Sequence, residues 1–119
     1  MGAAVKSIRP SSVVAAAEDF HAPVAATAAV VTYAADPNAA HIISGIAWSY
    51  SAAPTGGNLK IENGSGVTVF TMDITAAGPG YIYFEPAKKG GLNTAMIVTL
   101  ASGAGAVVGK VSVINHWTE

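Results

Sequence analysis

From residue 23 onward, short runs of apolar residues alternate with polar ones, and glycine, proline and asparagine separate the runs. Alternation with a period of two indicates β-strands, because successive side chains of a strand point to opposite faces. Seven runs fit, at residues 24–33, 41–50, 58–62, 67–74, 81–85, 94–100 and 107–117. No gap is long enough for a crossover helix. The pattern therefore predicts an all-β, antiparallel β-sandwich, jelly-roll-like, with seven to eight strands.

Within two of these runs, the alternation predicts which side chains share a face. In the run 41–50, one face is expected to carry Ile42, Ile46, Trp48 and Tyr50. The opposite face takes His41, Gly45 and Ser49. In the run 81–85, Tyr81 and Tyr83 share one face while Ile82 and Phe84 share the other. One aromatic pair is therefore expected to point outward.

The stretch "AAPTGGNLKIENGSGVTVF", residues 52–70, raises the question of whether its glycines bind phosphate, support a nucleophile or make turns. It lacks the spacing of a phosphate-binding loop, and it leads into an alternating strand instead of a helix. The run "NGSGV" also lacks the five-residue pattern of a nucleophile elbow. Asn63 and Gly64 are a strong hairpin signal. We therefore expect turns here, with Lys60 and Glu62 on the outward face of the hairpin.

Residues 1–22 differ from the remainder of the chain. They contain Pro10 and several charges, and they show no sustained alternation. A helix this short is marginal in water without packing partners. We expect an extended N-terminal arm over residues 1–22, followed by a sandwich domain over residues 23–119. The arm is either a tail without a function or a segment that docks on a neighbouring subunit.

Length and charge narrow the function classes. A chain of 119 residues is expected to form one domain, and it contains no cysteine for disulfides or thiolate metal sites. With six basic and seven acidic side chains, the chain lacks the excess of positive charge that is typical of nucleic-acid-binding proteins. No apolar segment is long enough for a bilayer, so we expect no membrane partner. Charged residues are 11% of the chain, well below the usual share, which favours a surface partly covered by partner subunits.

No set of residues carries a recognisable catalytic or metal-binding signature. His21, His41 and His116 have no close spacing, although His41 opens one predicted strand and His116 ends another. A histidine at a strand end is usually solvated, and that is our expectation for these. Asp73 is expected to stabilise a turn, with an acid–base pairing to Glu62 or Glu85 as the alternative. The sequence thus predicts no enzyme, no cofactor and no metal.

Aromatic side chains supply the candidate contacts. Trp117 lies two residues from the end and would be exposed in a free subunit, which indicates an interface. The residues expected at an interface are Arg9, Phe20, Tyr81, Tyr83 and Trp117. The alternative is a carbohydrate-binding or receptor-recognition module that stacks sugars on Tyr81, Tyr83 or Trp48.

A region that covers about two thirds of the chain contains three characteristic turn-and-strand segments. They are "WSYSAAPTGG", "DITAAGPGYIYF" and "NTAMIVTLASGAGAVVGKVSV". This region resembles small β-sandwich structural proteins of tailed bacteriophage virions, in particular capsid decoration (cement) proteins. The resemblance implies a virion structural protein on the capsid surface, made in the host cytoplasm. Its implied partners are itself, as a homotrimer, and the major capsid protein. The alternative places it in a phage fibre or tail.

Overall fold

The computed structural model describes residues 19–119, so Arg9 and the rest of the expected arm up to residue 18 lie outside the described residues. Within the described range the chain forms strands and no α-helix. The eight strands are β1 (Phe20–His21), β2 (Ala29–Tyr33), β3 (His41–Tyr50), β4 (Asn58–Asn63), β5 (Thr68–Asp73), β6 (Gly78–Lys89), β7 (Met96–Leu100) and β8 (Gly109–Thr118).

The strands form two four-stranded antiparallel sheets. Sheet A has the order β1-β8-β3-β6, and sheet B has the order β2-β7-β4-β5. This is the strand order of an eight-stranded jelly roll, in which each connection crosses between the two sheets except the β4–β5 hairpin. The predicted all-β, antiparallel sandwich is therefore confirmed.

The core lies between the inward faces of the two sheets. Sheet A contributes Ile43, Ile46 and Tyr50 from β3, and sheet B contributes Leu59 and Ile61 from β4. These side chains are almost completely buried. The one polar atom among them is satisfied, because the Tyr50 hydroxyl donates a hydrogen bond of 2.6 Å to the carbonyl oxygen of Ala101. The alternating strands thus close over a dry interior.

An irregularity in β3 corrects the predicted faces of that strand. The pairing of β3 with both neighbours shifts between Ile43 and Gly45. A bulge of this kind adds a residue and reverses the alternation on one side of it. Ile46 and Tyr50 keep their predicted inward positions, but Ile43 joins the core cluster in place of Ile42. Ile42 is nevertheless buried.

Several predicted strand bounds were wrong. The first run forms a strand only from Ala29, and β6 extends on both sides of residues 81–85. Residues 78–80, which lie between two of the predicted runs, also pair with β3. β6 also continues past Pro86 as far as Lys89. Phe20 and His21, the last part of the expected arm, pair with β8.

The glycine-rich stretch forms turns, as predicted. β4 and β5 make a hairpin in which the Asn63 amide donates to the Val67 carbonyl oxygen and the Val67 amide donates to Gly64. Gly64 has a φ of 84°, a backbone conformation that glycine adopts without steric cost. The strands that flank this loop leave no helix N-terminus for a phosphate.

Gly57 is predicted to be the less replaceable glycine of the corner before β4. A methyl group at Gly57 would overlap the Ile74 carbonyl oxygen and the Pro54 ring, whereas one at Gly56 meets open space. We expect Gly57→Ala to cost about 1–3 kcal/mol through overpacking. Gly56→Ala should cost about 1 kcal/mol, because its φ is 75°. Urea unfolding measures both, and equal losses would contradict the predicted clash.

Candidate functional site

The outer surface of sheet A carries a row of aromatic and small side chains. In this row Phe20 pairs with Ser112, Ser112 with Ala47, and Ala47 with Tyr81. Directly opposed residues of an antiparallel sheet project from the same face. Val111 and Val113 point into the core, so Ser112 and its row face outward.

A second row strengthens this surface. Gly45 pairs with Tyr83, and a side chain at Gly45 would collide with the rings of Tyr83 and with Ile114. The Tyr83 ring and Ile114 therefore lie over the bare backbone of Gly45. Tyr81 and Tyr83 meet edge to face, with ring centroids 5.6 Å apart. This geometry suits the aromatic quadrupole and holds both rings on one face.

We call these residues the aromatic face: Phe20, Ala47, Tyr81, Tyr83 and Ile114. Its four large members are exposed, at 54% for Phe20, 69% for Tyr81, 63% for Tyr83 and 45% for Ile114. None of the five carries a charge. Large apolar side chains this exposed and this close together indicate an interaction surface.

The outer surface of sheet B has a different character. Its cross-strand row runs from Val30 through Thr99 and Lys60 to Thr71. In the next row the Glu62 carboxylate lies 3.8 Å from the Lys60 ammonium and accepts a hydrogen bond from the Gly66 amide. Lys60 and Glu62 thus face outward, as expected, and they pair with each other. The sandwich therefore has one polar surface and one aromatic surface.

A shallow groove runs beside the aromatic face at the edge strand β6. It has a volume of about 510 Å³, and its lining is mostly apolar, formed by Ala47, Trp48, Pro79, Gly80 and Tyr81. The Trp48 ring packs against the backbone of Gly80, where any side chain would overlap it. Because Gly80 lacks a side chain, the Trp48 ring fits against its backbone and forms one wall of the groove.

Three of the five expected interface residues come together on the aromatic face. Phe20, Tyr81 and Tyr83 lie there, and the outward direction of the tyrosine pair is confirmed. Trp117 pairs with Ile42 near the end of sheet A and is partly buried, contrary to the expectation that it would be exposed. Sequence reasoning missed Ile114 and Ala47, which the β8–β3–β6 pairing places beside the tyrosines.

A second cluster lies where β2, β3 and β8 meet. His41 Nδ1 and His116 Nε2 are 3.0 Å apart, and His41 Nε2 lies 2.6 Å from the Ala34 carbonyl oxygen. The Tyr33 ring stacks on His116, with centroids 3.7 Å apart and planes 5° from parallel. The expectation of a solvated His41 was wrong, because only 6% of this residue is exposed.

The neighbouring groups determine the tautomers of the pair. A carbonyl oxygen can only accept, so His41 Nε2 carries a proton and donates to Ala34. In neutral His41 the other nitrogen, Nδ1, is then an acceptor, and His116 Nε2 donates to it. The two rings cannot both be protonated at a separation of 3.0 Å, because two N–H groups would then face each other. The pair therefore links β3, β8 and the end of β2 through two hydrogen bonds.

Burial and charge define the electrostatics of this cluster. Burial, with a smaller contribution from nearby His41, lowers the pKa of His116 to about 4, although Asp19 opposes the shift. Burial raises the pKa of the Tyr33 hydroxyl, and the Asp19 carboxylate adds to this effect. The Tyr33 hydroxyl is buried and has no hydrogen bond of good geometry within the described residues. Proximity to Asp19 is therefore an electrostatic contact.

The other candidate residues have structural contacts. His21 Nδ1 accepts a hydrogen bond of 3.0 Å from the amide of Val30, which joins β1 to the edge of β2. Asp73 accepts a hydrogen bond from the Asn58 side chain across the β4–β5 pair. Among the described residues, no group of three or more His, Cys, Asp or Glu side chains could hold a metal ion.

Comparison with known proteins does not assign a function to these surfaces. No protein-family model matches the chain, and no curated protein matches it. Residues 19–119 contain no helix with the length and apolarity needed to cross a bilayer. The functional argument therefore depends on the aromatic face, the open edge of β6 and the histidine cluster.

The histidine pair predicts a pH dependence of stability. The pKa of His116 is about 4 in the folded chain and about 6.5 when unfolded, so unfolding takes up a proton between these values. The free energy of unfolding should therefore have its full value above pH 6.5 and decrease as the pH drops towards 4. The expected decrease is on the order of 2 kcal/mol after allowance for partial solvation. Urea titrations between pH 4 and 7.5 measure this loss.

The matched variant is His116→Phe, which retains a ring that can stack on Tyr33. It should be less stable than the parent at pH 7.5, because the hydrogen bond to His41 is lost. Its stability should decrease less than that of the parent between pH 6.5 and 4. Parallel pH profiles for the two proteins would contradict the assignment to His116.

Proposed function

We propose that this chain is a non-enzymatic structural protein of a tailed bacteriophage virion. In this proposal it is a capsid decoration (cement) protein that associates with copies of itself and binds the major capsid protein. It is made in the host cytoplasm and acts on the capsid surface. The resemblance of the strand and turn segments supports this proposal, and so does the confirmed jelly-roll sandwich.

The aromatic face is the observation that carries the proposal. Aromatic side chains each offer roughly 150–250 Å² of surface, so the exposed parts of these four residues provide on the order of 400 Å². An area of this size is typical of the largest apolar patch on a monomer, roughly 300–600 Å², and such a patch is often functional. Sheet B presents a charged and threonine-rich surface instead, with Lys60, Glu62 and Thr99. The asymmetry supports one contacting surface and one solvent-facing surface.

The mechanism of stabilisation follows from linkage. A protein that binds an assembled lattice, and not the separated subunits, shifts the equilibrium towards the lattice. Apolar area removed from water provides the driving force, at roughly 25 cal/mol per Å². The two packed sheets hold the aromatic face rigid, so little conformational freedom is lost on binding. Such a subunit needs no catalytic group.

Electron microscopy of purified virions tests the proposal directly. We expect density for the sandwich on the outer surface of the capsid, with the aromatic face of sheet A towards the shell. Phe20→Ser/Ile114→Ser should weaken attachment at least tenfold, because it removes apolar contact area away from the β6 edge. Val30→Ser, on the outer surface of sheet B, is the control and should attach normally. Absence of the protein from purified particles would refute the proposal.

The groove at Trp48 and Tyr81 favours a second candidate function, recognition of a carbohydrate or receptor by a phage fibre or tail. Exposed tyrosine rings beside a groove can stack on sugar rings. On this alternative a glycan array should show saturable binding that Tyr81→Ala or Tyr83→Ala abolishes, while Val30→Ser retains it. An array without any saturable signal would exclude glycan recognition.

A further inference from the structure

We propose that two copies of this chain join through the open edge of β6, forming a continuous eight-stranded sheet across a two-fold axis. The inference rests on the proposed function in one respect, since that function includes self-association. It adds the contacting strand, the register and the symmetry. Its evidence is the direction of the backbone hydrogen bonds, the lack of charge and proline in residues 80–84 and a self-complementary sequence.

The hydrogen bonds of β3 determine which backbone groups of β6 face outward. The Ser51 amide donates to the Val108 carbonyl oxygen, so residues 51, 49 and 47 direct their backbone groups towards β8. Because this direction alternates along a strand, residues 50, 48 and 46 bond to β6. Their partners are Gly78, Gly80 and Ile82. The backbone groups of Pro79, Tyr81 and Tyr83 consequently face the open edge.

The position of Pro79 agrees with this assignment. Proline has no amide hydrogen, and in sheets it is found where the missing donor faces away from the neighbouring strand. Pro79 pairs with Ser49 in the register where no bond between β3 and β6 is required. Tyr81 and Tyr83 have the same phase, so each presents at the edge an amide and a carbonyl group that no backbone group of residues 19–119 pairs with.

Residues 80–84, the middle of this edge, lack the devices that usually prevent strand pairing, whereas Pro79 lies at one end of β6 and Pro86, Lys88 and Lys89 lie at the other. Edge strands are commonly protected by charged side chains, proline, bulges or covering segments. Residues 80–84 contain no charge and no proline. The other side of the sandwich is different, because there β1 lies beside β2 and His21 accepts the Val30 amide. The edge strand β5 ends in Asp73, whose neighbour Asn58 binds its side chain.

The edge is complementary to itself in one antiparallel register. If Tyr81 lies opposite Tyr83 of the second copy, each such pair exchanges two N–H···O bonds. The two-fold axis repeats the pair, so four bonds form and Pro79 is not needed as a donor. Ile82 then lies on the axis, opposite Ile82 of the second copy. A one-residue slip would leave these amides facing carbon atoms instead of acceptors.

The same register brings the exposed tyrosines together. Tyr81 and Tyr83 project from one face, so four rings form a single cluster across the axis. With 69% and 63% of the two residues exposed, each copy offers on the order of 250 Å² from its tyrosines alone. Together with the strand edges, the interface is near the lower limit for a stable dimer. We therefore expect a dissociation constant on the order of 10 μM.

The symmetry has a consequence for the assembly. An isologous contact relates two copies and closes on itself, so it predicts an even number of subunits. This replaces the three copies that the resemblance implies. Phe20 and Ile114 lie outside the edge contact, which leaves part of the aromatic face for the capsid.

Sedimentation and hydrogen exchange on the full chain test the inference together. Between about 1 μM and 1 mM, the parent protein should change from monomer to dimer. The amides of Tyr81 and Tyr83 should exchange at least tenfold more slowly at the higher concentration. Tyr81→Lys should raise the dissociation constant at least tenfold, because it removes two rings from the cluster and places two like charges diagonally across the axis on the same face. Val30→Lys is the matched control on the outer surface of β2, at the opposite side of the sandwich, and it should change the constant less than twofold.

Other outcomes overturn the inference in separable ways. A dimer that survives Tyr81→Lys, with fast exchange at Tyr81 and Tyr83, would show self-association elsewhere and would remove the β6 contact alone. A trimeric mass would remove the two-fold axis. A monomer at every concentration would remove self-association, and virion localisation would then decide the capsid role by itself. Exchange that slows only with an added glycan would assign this edge to sugar recognition and refute the dimer.

Discussion

The hydrogen-bonding phase of β3 is the constraint on which the rest of the structure depends. This strand lies between β8 and β6, so its odd and even residues must bond in opposite directions. The same alternation determines which side chains enter the core and which face outward. Ile46 and Tyr50 therefore pack between the sheets while Gly45 and Ala47 lie under the tyrosines. The irregularity between Ile43 and Ile46 divides the strand into two segments, each of which pairs with β8 and with β6.

The two sides of the sandwich differ in the contacts that their edge strands make. On one side β1 and β2 are adjacent, and the His21–Val30 hydrogen bond joins the two sheets. Nearby, the His41–His116 pair and the Tyr33 ring join three further strand ends. On the other side Phe70 and Phe84 meet edge to face below the open strand β6. A closed side gives rigidity, and an open side offers backbone groups to a partner.

Much of the fold could be predicted because local chemistry agrees with the final structure. Alternation, Asn63 and Gly64 predicted the strands, the hairpin and the outward tyrosine pair. Strand bounds failed where the pairing partner overrides local propensity, as at residues 78–80 and in the part of β6 beyond Pro86. Ile114 was missed for the same reason, since its place beside Tyr83 depends on which strands are neighbours.

The sequence by itself determined an all-β sandwich with a low-charge surface, because strand periodicity and turn residues act over a few positions. Only the tertiary structure decided that His41 is buried against His116, 75 positions away, and that Phe20 shares a face with Tyr81. It also decided that β6 is an edge. These features depend on strand order, which arises from packing two sheets over one core and leaves no periodic mark in the sequence.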